Sequence, residues 1–178
     1  MRTITTHTDV YKFDELNEVA KQAALENMAY VNVEHHNWFD DMYEDAKNIG
    51  LIITDFELDN NKKAIGKLNY SLKETVQAIQ EDHGDTCETF KLAEKFDKEY
   101  DELVGKYSSE EDPERVAEDN EDEFDSKADQ LEELFLKELL EAYADMLEKD
   151  YEHLTSKEAI IDTIEANEYE FTEDGEQH

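Results

Sequence analysis

Residues Asp112–Tyr151 read DPERVAEDNEDEFDSKADQLEELFLKELLEAYADMLEKDY, and this stretch decides the fold. Asp112-Pro113 is a well-formed helix start, because proline lacks the N–H that the first turn leaves unbonded and aspartate accepts the free ones. Beyond it Val116, Ala117, Phe124, Ala128, Leu131, Leu134, Phe135, Leu139, Ala142, Tyr143, Met146 and Leu147 recur at steps of three and four. No glycine interrupts them. The spacing predicts one helix over Pro113–Tyr151, roughly 60 Å long at about 1.5 Å per residue.

The helix enters through an unusual run of charge. Between Glu110 and Asp125 ten of sixteen residues are acidic: Glu110, Glu111, Asp112, Glu114, Glu118, Asp119, Glu121, Asp122, Glu123 and Asp125, against the single base Arg115. As a helix this is about one net negative charge per 2.7 Å, within a factor of two of the roughly 1.7 Å per charge of B-DNA. Like charges three and four residues apart destabilise a helix, and solubility needs far fewer of them. A solvated helix face is the bland account of such a run. A surface that binds a basic protein explains the cost better, and it extends along the helix through Asp129, Glu132 and Glu133.

Upstream, Phe90, Ala93, Phe96, Tyr100, Leu103, Val104 and Tyr107 predict a second long helix over Asp85–Tyr107. Paired antiparallel with the first, it gives a helical hairpin over 85–153. Ser71 with Glu74 forms a capping box for a shorter helix that Gly84 ends. Leu51–Leu58 and Ala64–Tyr70 are apolar β-rich runs flanking Asp59-Asn60-Asn61-Lys62-Lys63, which predicts a β-hairpin. Trp38, Phe39, Met42, Tyr43 and Ala46 make a dense aromatic helix face, capped by Asn37 and stopped by Gly50.

At the N-terminal end Thr3–Phe13 reads as a strand, and Asp14 as the cap of a helix carrying Leu16, Val19, Ala20, Ala23, Ala24 and Met28. At the other end Thr155 and Glu158 suggest a capping box, Glu168–Thr172 alternates like an edge strand, and 173–178 reads as a frayed tail. The expectation is a single α+β domain over 1–178: a small antiparallel sheet packed on helices, with a long acidic antiparallel helical hairpin.

Composition narrows the function. The 178 residues carry a formal net charge of -33, with 38% apolar and 10% aromatic side chains, enough to build a core. Residues 1–70 hold 13 acids and 7 bases, while residues 71–178 hold 37 acids and 10 bases. Such a charge repels DNA, RNA and anionic lipid, so the partner it suits is cationic. Halophilic adaptation fits poorly with fifteen lysines and so uneven a distribution. One cysteine, Cys87, excludes an intrachain disulfide and a CxxC metal site. With no membrane-length apolar run and no signal-peptide order, the reading is a cytoplasmic protein with no membrane association.

Catalytic and metal-binding patterns are weak. Asp119, Glu121 and Glu123 have the alternate spacing of a calcium loop, but Phe124 stands where its glycine belongs and Gln130 where its bidentate glutamate belongs. Adjacent His35 and His36, with Asp40, Asp41 and Glu44, cannot both face one side of a helix. Cys87 follows His83 by four residues with Gly84 between them, which suits a packing cysteine better than an activated thiol. Paired carboxylates are too abundant to mark a hydrolase. No metal, cofactor or catalytic residue is therefore assigned.

Four segments carry a resemblance: Val10–Leu16 (VYKFDEL), Trp38–Leu51 (WFDDMYEDAKNIGL), Gly84–Phe96 (GDTCETFKLAEKF) and Thr155–Gly175 (TSKEAIIDTIEANEYEFTEDG). They resemble a family of small acidic proteins encoded by tailed bacteriophages and prophages of Gram-positive bacteria, some of them labelled antitoxins. The resemblance implies a phage accessory protein and brings no catalytic residues with it. In that setting the acidic surface suggests a non-enzymatic nucleic-acid mimic that fills the basic groove of a host restriction, CRISPR or nuclease protein. The alternative is an antitoxin-like partner that neutralises a basic toxin; the sequence leaves monomer and dimer both open.

Overall fold

The computed structural model describes residues 1–3, 7–34, 37–58, 62–108 and 120–178. The architecture is α+β: helices accompanied by two separate two-stranded antiparallel sheets, with a long acidic helical hairpin. Backbone packing groups the chain into two compact units, 1–38 with 149–178 and 39–148, where the sequence suggested one.

In the first unit, β1 (Tyr11–Lys12) pairs antiparallel with β4 (Glu170–Phe171), Tyr11 opposite Phe171. The strand expected over Thr3–Phe13 is thus confined to two residues among those described. A tight turn at Phe13–Glu15 ends it, held by the Lys12 N–H donating to Glu15 Oε2 at 2.7 Å. That turn displaces the cap of α1 (Glu18–Asn27) from Asp14 to Asn17, whose side chain accepts from the N–H groups of Val19 and Ala20 at 3.0 Å. Helix α6 (Lys157–Ala166) is likewise capped one residue late. Ser156 Oγ accepts from the Ala159 N–H, while the Thr155 hydroxyl turns back to the Tyr151 carbonyl at 2.7 Å. Phe13, Leu16, Ala24, Met28, Ile160, Ile164 and Phe171 close the core.

The tail expected to fray at 173–178 is instead folded back. The Thr172 N–H donates to the Glu176 carbonyl at 2.9 Å, and the His178 N–H to the Glu170 carbonyl at 2.9 Å. Gly175 has φ +89° and sits against α1, where an added Cβ would lie 2.2 Å from the Ala20 carbonyl oxygen. The reversal needs a residue with neither a side chain nor a φ restriction. Composition at a chain end does not report such a contact.

The second unit is built on α2 (Asp40–Asn48), β2 (Leu51–Glu57), β3 (Lys63–Leu68), α3 (Leu72–Asp82), α4 (Glu88–Tyr107) and the body of α5 (Glu121–Leu154). Strands β2 and β3 form the expected hairpin, with Leu51 opposite Leu68, Glu57 opposite Lys63 and an irregularity between Ile53 and Asp55. Gly50, at φ +81°, ends the chain's exit from α2. Phe39, not Asn37, stands at the N-cap of α2, and its ring packs with Tyr43 and Phe56 at 4.9 and 5.2 Å. Trp38, in the first unit, packs with Tyr151 of the same unit, ring centroids 5.8 Å apart.

The Ser71–Glu74 capping box of α3 is formed as expected, both bonds present. Helix α4 starts at Glu88, three residues later than Asp85, because Gly84–Cys87 makes a turn closed by the Cys87 N–H. The helix expected from Pro113 is described from Glu121 onward and ends at Leu154; Asp112-Pro113 lies outside the described residues.

Helices α4 and α5 pair antiparallel through their aromatic side chains. Phe96 meets Phe135 with ring centroids 4.9 Å apart, and Tyr107 meets Phe124 at 6.3 Å. The two contacts are the same number of residues apart on each helix, so the register is uniform. Phe96, Phe135, Leu139 and Tyr143 are almost fully buried and join Ile49, Leu51, Val76 and Ile79 in one core. Burying each such ring or branched chain contributes about 1.5 to 3 kcal/mol, which anchors the hairpin to the rest of the unit.

Candidate interaction surface

Of the thirteen acids in the sequence-based surface, Glu110, Glu111, Asp112, Glu114, Glu118 and Asp119 lie outside the described residues. The others, Glu121, Asp122, Glu123, Asp125, Asp129, Glu132 and Glu133, stand on the first turns of α5, all exposed. What orients them is the apolar stripe of Ala128, Phe135 and Leu139, with Phe124 and Leu131 beside it, which turns toward α4 and the core.

At 3.6 residues per turn, Glu121, Asp122, Asp125, Asp129, Glu132 and Glu133 occupy one flank covering about a third of the helix circumference. None of the six is ion-paired with a lysine, arginine or histidine among the described residues. Partial burial, reinforced by the charge of Asp129, pushes the Glu132 carboxyl above the ordinary carboxylate range.

Glu123 belongs elsewhere. It points to the other side of α5 and accepts a hydrogen bond from the buried Tyr107 hydroxyl at 2.6 Å. Lys106 completes that contact, its ammonium 3.1 Å from the same hydroxyl and 4.7 Å from the ring centre. Glu123 is a tie between the helices, not part of the open flank.

Farther along α5 the acids from Glu138 to Glu148 are neutralised. Lys95 on α4 donates to both oxygens of Glu138, at 2.8 and 2.9 Å. Lys62 reaches Asp145 at 2.8 Å and Glu148 at 2.5 Å, and these two carboxylates hold its ammonium above the ordinary lysine range. Lys137 lies 3.6 Å from Glu141. Sequence reading did not find these clamps, because Lys62 and Lys95 come from distant parts of the chain. The aromatic spacing was the available signal: aligning Phe96 and Tyr107 with Phe135 and Phe124 sets the register that brings Lys95 to Glu138.

A separate polar chain ties four helices of this unit. The Tyr143 hydroxyl donates to Asp45 Oδ2 at 2.6 Å, His83 Nε2 lies 3.5 Å from Asp45 Oδ1, and His83 Nδ1 lies 2.6 Å from the Thr89 hydroxyl. The hydrogen bond from His83, then the one from Tyr143, holds the Asp45 carboxyl below the ordinary range, while burial and that carboxylate push the Tyr143 phenol up. Both ring nitrogens of His83 are thus engaged, and Cys87 is exposed at the start of α4. Thr89 is only 3% exposed, so its hydroxyl is a structural partner and not an accessible nucleophile.

Among the described residues no group of three or more His, Cys, Asp or Glu side chains is placed to hold a metal ion. His35 and His36 lie outside them. No helix among them is long and apolar enough to cross a membrane. The class that fold and surface define is an α+β protein with a helical hairpin whose acidic flank is unneutralised among the described residues. No family model, curated protein or solved structure matches the chain.

Proposed function

We propose that this protein is a non-enzymatic acidic phage protein that mimics nucleic-acid charge and occupies the basic groove of a host DNA- or RNA-binding defence protein, a restriction, CRISPR or nuclease component. It would act in the cytoplasm of the infected bacterium. The observation that carries the reading is the flank formed by Glu121, Asp122, Asp125, Asp129, Glu132 and Glu133, without an ion pair among the described residues, on a helix whose acids from Glu138 to Glu148 are met by lysines. Over Glu121–Glu133 the net charge is about one per 3 Å of axis, roughly half the linear density of B-DNA. Six carboxylates held without cations on one flank repel each other and draw in a polycation.

Binding of this kind is steered by charge and weakens steeply with salt. The test is a pull-down from host lysate at low and high ionic strength, with the wild-type chain and with Asp122→Lys, Asp125→Lys and Asp129→Lys combined. The expected partner is a basic nucleic-acid-binding protein, released by salt and lost in the triple variant. Capture that is indifferent to salt and to these reversals would remove the reading. A toxic basic partner that binds no nucleic acid would move it to the antitoxin-like alternative.

A further inference from the structure

The acidic flank does more than run along a rod, because one of its members forms the wall of a cleft. On the Glu132 side of the hairpin, Phe96, Asp97, Tyr100 and Asp101 of α4 face Glu132 of α5 across a cavity of about 360 Å³, with Ser71, Leu72 and Lys73 at its edge. The volume lies at the small end of the range of about 300 to 1,000 Å³ in which proteins hold small ligands or anchor side chains. Carboxylates alone would make this a solvated surface; its floor is what differs. The half-buried Tyr100 ring, backed by the almost fully buried Phe96 that stacks with it at 5.7 Å and 28°, gives the cleft an aromatic surface beside three carboxylates from two helices.

Those carboxylates have acceptor capacity to spare. Asp97 accepts one hydrogen bond, from Gln80 Nε2 at 2.8 Å, on Oδ2. Asp101 and Glu132 have no hydrogen-bond or ion-pair partner among the described residues, even though Lys73 lines the same cleft. Asp97 and Asp101 are one helical turn apart, so they present two carboxylates side by side. A planar cation with several fixed donors that also stacks on an aromatic face would satisfy all of this at once. An ammonium would meet the charge but make no use of the aromatic surface.

We infer that this cleft is the seat for an arginine side chain of the basic partner, its guanidinium between Asp97, Asp101 and Glu132 and its plane against the Tyr100 ring. The inference rests on the proposed function and sharpens it. The surrounding flank supplies attraction that any polycation would feel, and the cleft supplies preference for arginine at one point. Central anchors of this kind carry a large share of the energy of an interface.

The experiment titrates the full chain with capped oligoarginine and oligolysine of equal length, following affinity by calorimetry and the Tyr100 ring by NMR. Oligoarginine is expected to bind about tenfold more tightly than oligolysine and to shift the Tyr100 resonances, a ratio in keeping with a cation–aromatic contact. Asp101→Asn and Glu132→Gln, both conservative and at exposed side chains, should bring the two peptides to near-equal affinity. Glu121→Gln and Asp122→Asn, outside the cleft, should weaken both and keep the ratio. Equal, salt-sensitive binding of the two peptides to the wild-type chain would overturn the arginine seat and leave the acidic-surface reading standing; no binding of either would overturn both. A preference that survives Asp101→Asn and Glu132→Gln would place the discrimination elsewhere and also defeat the inference.

Discussion

Two stretches of α5, seven acids over Glu121–Glu133 and four over Glu138–Glu148, differ in what surrounds them. From Glu138 to Glu148 the carboxylates are met by Lys95, Lys62 and Lys137. From Glu121 to Glu133 the flank has no ion pair among the described residues, and Lys127, the lysine of that stretch, stands on another side of the helix. Acidic composition is therefore a poor guide to acidic surface. The neutralised stretch behaves as ordinary protein exterior, in which each exposed pair contributes little and salt screens it. The bare stretch repels itself and is held in place by something other than charge, the aromatic seam of Phe96, Tyr107, Phe124 and Phe135 beneath it.

Removing that seam is the most damaging way to break the comparison. Phe135 is 2% exposed and packs against Phe96, so Phe135→Ala should cost about 3 to 5 kcal/mol of unfolding free energy, read as a large drop in melting temperature or denaturant midpoint. A change within about 0.5 kcal/mol would mean that the hairpin is braced elsewhere. Next in size is the charge-reversal contrast. Asp122→Lys, Asp125→Lys and Asp129→Lys together should lower affinity for a basic partner by about a hundredfold or more at low salt while leaving thermal stability equal or improved. Asp145→Lys with Glu148→Lys should do the opposite, loosening the Lys62 clamp with little effect on binding. If both sets of reversals weaken binding equally, the two stretches do not differ in function.

Much of this was legible beforehand. The Ser71–Glu74 box, the β2–β3 pair and the apolar stripe from Phe124 to Leu147 were all readable because each rests on residues a few positions apart. The features that escaped are those set by distant contacts: the clamp of Lys62 on Asp145 and Glu148, the tail folded onto α1 around Gly175, and the convergence of Asp97 and Asp101 with Glu132. The caps of α1 and α6 were legible in kind and displaced in position. Asn17 replaced Asp14 because the short turn at Phe13–Glu15 consumes the residues before it, and Ser156 replaced Thr155 because the threonine hydroxyl is already committed to Tyr151.

The polar chain through Asp45 gives a third test, smaller and opposite in pH sense to the acidic flank. Asp45 is held below its unfolded-state range by the hydrogen bonds from His83 and Tyr143. A depressed carboxyl stabilises the fold above the unfolded-state pKa, near 4, and loses that contribution as pH falls through its folded value. Tyr143→Phe removes one of those bonds without changing the ring, and should cost about 1 to 2 kcal/mol at neutral pH and progressively less in acid. A pH-independent difference between the two chains in denaturant titrations from neutral to acid pH would show that the hydrogen bond does not hold the carboxylate down.

The finest distinction is carried by Glu132, whose shift runs the other way. Burial and the neighbouring Asp129 raise its folded-state pKa above the unfolded value, so the folded chain binds a proton more readily than the unfolded one. By linkage the ionised side chain opposes folding at neutral pH, and that opposition is relieved as pH falls through the raised folded-state value, fully so below the unfolded pKa of about 4.3. Glu132→Gln, a neutral side chain of nearly the same shape, should therefore stabilise the protein slightly at pH 7. The gain should shrink as pH falls through the carboxylate range and disappear where the wild-type residue is itself protonated. The same substitution is expected to weaken an arginine-bearing ligand, so stability and binding should move in opposite directions at one residue. A variant that is less stable at pH 7, or whose effect does not change with pH, would mean that Glu132 is paired like Glu138, and the contrast between the two stretches of α5 would shrink to the residues before it.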